Sequence, residues 1–200
     1  MTKTRKIEAA VWKILVNLAA LLTMVVLLFI VIYILVKGIP NLSPGLFSLH
    51  YTTDNQSIIP ALIHTIELTL MGLLFAVPLG IFAAVFMNEY AKRGSKLVAL
   101  VGVTSETLTG IPSIVYGLFG MLFFVEACHL RKTLISGALT IAIMILPTIL
   151  RTTQEALMAV PDMYREASFG LGAGKLRTVF KVILPSAMPG ILSGIILAIG

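Results

Sequence analysis

The stretch GLGAGKL, residues 170–176, combines three glycines with a lysine, and these residue types can cradle a phosphate group. A P-loop needs the pattern G-x-x-x-x-G-K-[ST] after a buried strand. If Gly174 and Lys175 are the glycine–lysine pair, the first glycine position holds Phe169 and the hydroxyl position holds Leu176. The spacing also fails the dinucleotide pattern G-x-G-x-x-G. We therefore do not expect this loop to bind a nucleotide.

Two acidic residues, Glu67 and Glu106, interrupt long apolar runs. An ionisable side chain in a membrane helix is costly and marks a candidate functional site. A structural ion pair or a protonated acid would explain the same residues. Pro112 breaks helical hydrogen bonding, so the freed backbone groups and the Ser113 hydroxyl could contact a polar substrate. We predict that these four residues lie on a substrate path, with helix packing by nearby small residues as the alternative.

The composition places these carboxylates in a membrane protein. The chain has 200 residues, of which 58% are hydrophobic and only 12% charged, and its mean hydropathy is +1.01. A globule of this size cannot bury so much apolar surface. The net charge of +6 fits loops at an anionic membrane surface. We expect no nucleic-acid partner, and the single Cys128 excludes an internal disulfide framework and a zinc cluster.

Five hydrophobic segments predict an all-α, polytopic transmembrane helical bundle. They are residues 11–36, 59–87, 97–125, 134–150 and a last one from about residue 187. We divide the chain into an N-terminus (1–10), a first transmembrane helix (11–36), an outer loop (37–58) and a core (59–200). The first segment lacks a small-residue cleavage site, which favours a retained helix over a signal peptide. The last segment, about 21 Å long, is too short to span, so we expect it to be truncated.

The distribution of basic residues predicts the orientation. Twelve of the 15 lysines and arginines lie before or within the first segment, between the second and third segments, or between the fourth and fifth segments. The positive-inside rule then places the N-terminus and the loop at about residues 151–186 in the cytoplasm. The remaining segment connections face the outside.

That long loop contains a short predicted helix from Pro161 to Phe169. Proline is favoured in the first turn of a helix, and the glycines at 170–174 end the helix. A second amphipathic helix, from Lys175 to Leu184, is predicted to stop at Pro185. A short helix held in this way at the tip of a loop could lie in a groove of another protein. A plain connecting loop is the alternative.

The same loop resembles the EAA loop of ABC importer permeases, E-A-A-x-x-x-G followed after nine residues by I-x-L-P. It reads Glu166-Ala167-Ser168, Gly172 and Val182-Ile183-Leu184-Pro185, so Ser and Val replace the usual Ala and Ile. The stretches TLTGIPSIVYGLFG and LPTILRTTQEAL are similar to phosphate permeases, and the chain is most similar to their PstA-type subunits. The resemblance implies ATPase-coupling roles for seven residues: Pro161, Arg165, Glu166, Ala167, Gly172, Leu184 and Pro185.

The resemblance also implies the function of the chain and the other subunits of the transporter. We expect a non-catalytic permease subunit that forms half of the pathway of an ATP-driven phosphate importer in the inner membrane of a prokaryote. The implied partners are a PstC-type permease, PstB-type ATPases that bind ATP and Mg, a PstS-type phosphate-binding protein and membrane lipid. Two alternatives stay open: a permease for molybdate or sulfate, and an ATP-independent channel or secondary transporter.

Overall fold

The computed structural model describes residues 3–53, 56–92 and 94–200, with side chains from residue 8 onward. Helices and turns make up this described part, and it contains no strand, so the expected all-α class is confirmed. The chain divides into two compact units, residues 1–62 and 63–200.

The first unit is dominated by one long helix, α1 (Lys3–Gly38). Two short 3-10 turns follow, at Ile39–Asn41 and Pro44–Phe47. Every described side chain of α1 is exposed, including Trp12 and Phe29, each at 68%. The predicted span 11–36 lies within this helix. Between residues 11 and 36 its unburied surface is apolar except at Lys13, Asn17 and Thr23, and such a surface is suited to lipid or to a protein neighbour.

The second unit contains the rest of the bundle. Helix α2 (Ile59–Val85), which begins just before this unit, ends in a wide π-helical turn at Phe86–Tyr90. Helices α3 (Lys96–Thr109) and α4 (Ser113–Gly120) follow, and α4 continues as a π turn through Ala127. The remaining helices are α5 (Leu134–Met158), α6 (Asp162–Gly170), α7 (Lys175–Thr178) and, after a π turn at Val179–Ile183, α8 (Leu184–Ile199).

Helix α5 is the central element, and glycines let its neighbours approach closely. A Cβ atom on Gly72 would lie 2.8 Å from Ile141, and one on Gly80 would lie 2.8 Å from Ile149. Both numbers rise by eight along each helix, so α2 and α5 pack in parallel. Helix α8 packs antiparallel to α5, because Gly190 meets Ala156 and Gly194 meets Thr152. Small residues at such contacts are typical of helix packing in lipid.

The tightest packing lies where α2 and α5 end and the chain re-enters the bundle. Leu157 and Ile183 are fully buried there, together with Ala84 and Val179. A second cluster, around Ala76 and Ile149, joins α2 and α5 on the N-terminal side of the first cluster. Because the first cluster includes residues on both sides of α6, the base of that short helix rests on a packed support.

The structure confirms the break that Pro112 predicted in the third apolar segment, and it contradicts the predicted helix end at Pro185. The third apolar segment is not one helix, because α3 and the α4 segment meet at an angle of 103° across a break at residues 110–112. The last span begins at Lys175 and runs without interruption to Ile199, a length of 25 residues. Pro185 does not stop it. The π turn at Val179–Ile183 precedes this proline, and the wider turn accommodates a residue that cannot donate a backbone hydrogen bond.

Four helical segments of the described chain are long and apolar enough to cross a membrane. They are Glu8–Asn41, Ile59–Tyr90, Leu134–Met158 and Lys175–Ile199, and the bent α3–α4 pair is a fifth if it forms one broken span. This arrangement confirms the predicted polytopic bundle.

Candidate functional site

The short helix predicted at 161–169 is confirmed within one residue as α6, Asp162–Gly170. Asp162 lies in its first turn, where a negative charge favours the helix dipole. Gly172 ends it at a φ of +81°, while the amide of Ala173 donates to the Ser168 carbonyl and that of Gly172 donates to Phe169. This is a Schellman cap. Among the loop glycines at 170–174, only Gly172 has the left-handed conformation.

One face of helix α6 points away from the rest of the protein. It is formed by Met163, Glu166 and Ala167, and we call it the outer face. These residues follow helical spacing, and all are exposed. Apolar side chains dominate the surroundings: Met163 is 67% exposed, Phe169 is 47% exposed and Leu171 is 89% exposed. Clustered exposed apolar side chains on a polar loop are typical of a protein contact.

Arg165 points the other way, into the support beneath α6. Its Nη2 atom donates to Glu89 Oε1 at 2.7 Å and to the Leu157 carbonyl at 3.1 Å. Its Nη1 atom donates to the Val160 carbonyl and to Asp162 Oδ1, each at 3.0 Å. The guanidinium therefore neutralises the partial negative charge at the C-terminal end of α5, and it joins that end to α2 and α6.

Burial makes the contact between Arg165 and Glu89 stronger than an ordinary surface ion pair. The side chain of Arg165 is 16% exposed and that of Glu89 is 9% exposed. The hydrogen bonds that Arg165 donates to Glu89 raise the pKa of its guanidinium, so Arg165 stays charged. Removing one partner of a fully buried pair costs about 3–5 kcal/mol, because the other charge is left uncompensated, and the pair of Arg165 and Glu89 is partly buried.

Sequence reasoning missed Glu89, although it selected Arg165. The two residues are 76 positions apart, and Glu89 lies after the end of an apolar run, where an acidic residue resembles any solvated loop residue. Nearby, Lys175 Nζ lies 5.0 Å from the Tyr90 ring centroid, which adds an exposed cation–π contact between α7 and the end of α2.

Of the three remaining predicted coupling residues, Leu184 is half-buried, and Pro185 and Pro161 are exposed. Leu184 and Pro185 lie in the first turn of α8, directly after the π turn that carries the buried Ile183. Leu184 packs against the buried cluster that supports α6. Pro161 directly precedes α6, and its carbonyl accepts a hydrogen bond from the Tyr164 amide at 3.1 Å.

Glu106 has a basic neighbour within this chain. Arg151 Nη1 lies 3.8 Å from Glu106 Oε1, and Arg151 Nε donates to Glu155 Oε1 at 3.2 Å. The three side chains are more than half exposed and line a cleft of about 190 Å³ with Ser105 and Gln154. Charges exposed on membrane helices face a water-filled cavity or another subunit rather than lipid.

The break between α3 and α4 places Pro112 and Ser113 at an exposed elbow. Pro112 cannot donate to the Leu108 carbonyl four residues earlier. Instead, the hydroxyl of buried Tyr116 donates to that carbonyl at 2.9 Å. Because of the sharp bend, Glu106 and Ser113 do not lie on one continuous helical face.

Glu67 lies in a different part of the bundle. Its Oε2 atom lies 3.0 Å from His64 Nδ1 on an exposed surface of α2. The parallel packing of α2 and α5 aligns residue 72 with 141 and residue 80 with 149, so Glu67 is level with Ser136. Arg151 is therefore about 22 Å further along α5. The two predicted path carboxylates are not brought together.

A helical bundle with several segments long and apolar enough to cross a membrane, and with a short exposed helix on a packed support, is typical of an integral membrane protein. The pattern of binding-protein-dependent transport system inner membrane components matches residues 76–200. The chain belongs to this family, which confirms the predicted ABC permease resemblance.

Named relatives extend the match over nearly the whole chain. The chain is 35% identical over 191 residues, 92% of its length, to the probable ABC transporter permease protein YqgI of Bacillus subtilis, and spans 63% of that relative. It is 31% identical to YqgH of the same organism, over 98% of its own length and 68% of the relative's. It is 38% identical over 124 residues to the phosphate transport system permease protein PstA 1 of Mycobacterium tuberculosis, covering 62% of this chain and 40% of that relative.

Proposed function

We propose that the chain forms half of the membrane pathway of an ATP-driven importer for inorganic phosphate, in which α6 docks on the ATPase. The observation that carries this proposal is the outer face of α6, which is exposed and lies among exposed apolar side chains, while the opposite side of α6 is fixed by Arg165. A helix that is rigidly mounted and presents unburied apolar side chains is suited to transmit a displacement from a partner.

The proposal assigns the other components to partner proteins. A PstC-type permease completes the pathway, PstB-type ATPases bind ATP and Mg, and a PstS-type protein delivers phosphate. The chain itself performs no catalysis. Its N-terminus and α6 face the cytoplasm, because twelve of the 15 basic residues lie on that side. The PstA name carried by several relatives supports phosphate as the substrate.

We assign Glu106, Pro112 and Ser113 to the lining of the pathway, and we assign Glu67 to its extracytoplasmic end. The cluster of Glu106, Arg151 and Glu155 has a formal charge of −1, so it repels an anion unless further positive groups approach it. The paired permease would have to supply them. In this account Arg151 is the positive group of this chain at the cleft.

Affinity purification of the protein from native membranes, followed by reconstitution in vesicles, tests the proposal. The expected result is a co-purifying ATPase and phosphate uptake that requires ATP. Competition by excess molybdate or sulfate, with phosphate itself as the positive control, separates the anions. Uptake that persists without ATP and without an ATPase in the eluate would contradict the proposal and favour a channel or secondary transporter.

A further inference from the structure

A single ion pair provides the described polar attachment between α6 and α2. Arg165 on α6 binds Glu89 at the end of α2 through Nη2 at 2.7 Å and through Nε at 3.2 Å and 3.4 Å to the two carboxylate oxygens. No other polar contact between these two elements occurs among the residues that the structure describes. Two-point binding of a guanidinium by a carboxylate fixes orientation as well as distance.

The other attachments of α6 lead elsewhere. Its chain connections run to α5 and α7, and Ser168 contacts Thr178 on α7. The Lys175–Tyr90 contact joins α7, not α6, to the end of α2, and it is exposed. A displacement of α6 therefore reaches α5 and α8 through the chain itself, whereas it reaches α2 directly through Arg165 and Glu89.

The backbone around Glu89 is shaped for this contact. Glu89 lies in the π turn Phe86–Tyr90, where the Ala91 amide donates to the Phe86 carbonyl at 2.9 Å. One extra residue in a turn rotates the following side chains by about 100° relative to a regular α-helix. The wide turn therefore decides which side of α2 presents Glu89.

We propose that Glu89 is a positioning residue that, with Arg165, forms the joint by which movement of α6 is passed to α2. This inference rests on the proposed function, since it assumes that α6 receives the stroke of an ATPase. It assigns Arg165 an internal role and leaves direct docking to the outer face of α6. Without the joint, α6 still docks, but α2 follows it only indirectly, through the apolar cluster that α2 shares with α5 and α8.

The test uses the full-length protein, reconstituted in vesicles with its co-purified ATPase. Phosphate uptake and ATP hydrolysis are both measured. Glu89→Gln keeps the side-chain shape and removes the charge. We expect the ATPase to co-purify at the normal level while phosphate transported per ATP hydrolysed falls at least tenfold. Glu89→Asp, which keeps the carboxylate, should restore part of this transport ratio, the phosphate transported per ATP hydrolysed.

The matched control is Asp162→Asn. Asp162 also pairs with Arg165, but it is 82% exposed and belongs to α6 itself, so its loss should leave the ratio close to that of the unmodified protein. The ratio separates a transmission role from a merely structural one, because unfolding lowers transport and hydrolysis by the unfolded fraction alike. Thermal unfolding of each variant reports that fraction.

Three results would overturn the inference. One is a normal transport ratio in Glu89→Gln. Another is a loss of transport that matches the loss of folded protein. The third is an equal effect of Asp162→Asn. If no ATPase co-purifies even with the unmodified protein, the proposed function fails as well, which distinguishes that failure from failure of the joint alone.

Discussion

The hydroxyl oxygens of Ser168 and Thr178 lie 2.8 Å apart in a buried contact that links α6 to α7. Ser168 occupies the third position of the E-A-A motif, where the family pattern has alanine. Thr178 also donates to the Gly174 carbonyl at 3.3 Å. The departure from the motif is therefore accommodated by a hydroxyl partner ten residues away. The two residues close the turn around Gly172.

This contact predicts an asymmetry between two single substitutions. Ser168→Ala leaves Thr178 with its bond to the Gly174 carbonyl, so its cost should be small. Thr178→Val leaves the Ser168 hydroxyl buried without that partner, which costs about 1–3 kcal/mol. Thermal unfolding of the purified protein in detergent measures both. A larger loss of stability for Ser168→Ala would contradict the assignment.

Gly172 and Gly170 provide a matched pair for the end of α6. Gly172→Ala places a Cβ atom at a φ of +81°, which costs about 1–2 kcal/mol. Gly170 has a helical conformation, and a Cβ atom there meets nothing within 4 Å, so Gly170→Ala should be neutral or stabilising. Unfolding temperatures should fall only for Gly172→Ala. Equal effects of the two substitutions would rule out the cap as described.

Close approach of α4 and α5 depends on Gly120. A Cβ atom there would overlap the Thr140 side chain, while one on Gly117, in the same helix, meets nothing within 4 Å. Gly120→Ala should therefore destabilise the bundle by about 1–3 kcal/mol, and Gly117→Ala should not. Unfolding in detergent gives the comparison. The packing account fails if Gly120→Ala is as stable as the parent protein.

The elbow between α3 and α4 predicts water access at Ser113. In a background in which exposed Cys128 is replaced by serine, Ser113→Cys should react with a water-soluble thiol reagent about tenfold faster than Ile114→Cys, since only a hydrated thiol ionises readily. Ile114 is 72% exposed in the chain alone and serves as the control for lipid contact. Similar protection of both cysteines would remove Ser113 from the path.

Local patterns in the sequence predicted the parts of the site that depend on neighbouring residues. Pro161, the glycine at 172 and the spacing between them define the ends of α6, because caps and turns are determined by a few adjacent residues. The apolar runs likewise located the spans. Pro112 indicated a break, although it could not give the angle of 103°.

Contacts between distant segments could not be read in the same way. Nothing local marks Glu89 as the partner of Arg165 or Arg151 as the neighbour of Glu106, because helix packing alone brings these residues together. The error at Pro185 has a different origin. Proline normally ends a helix, and the π turn that allows the helix to continue has no simple sequence signature.

Cysteine cross-linking of α6 to the ATPase is the most direct test of the central claim. In the Cys128→Ser background, Ala167→Cys on the outer face of α6 should cross-link to the co-expressed ATPase subunit, and nucleotide should change the yield. Leu130→Cys, which replaces an exposed residue after the α4 segment at the opposite end of α5, is the control and should not cross-link. The account predicts a cross-link only at position 167. Cross-linking at 130 but not at 167, or at neither, would contradict it.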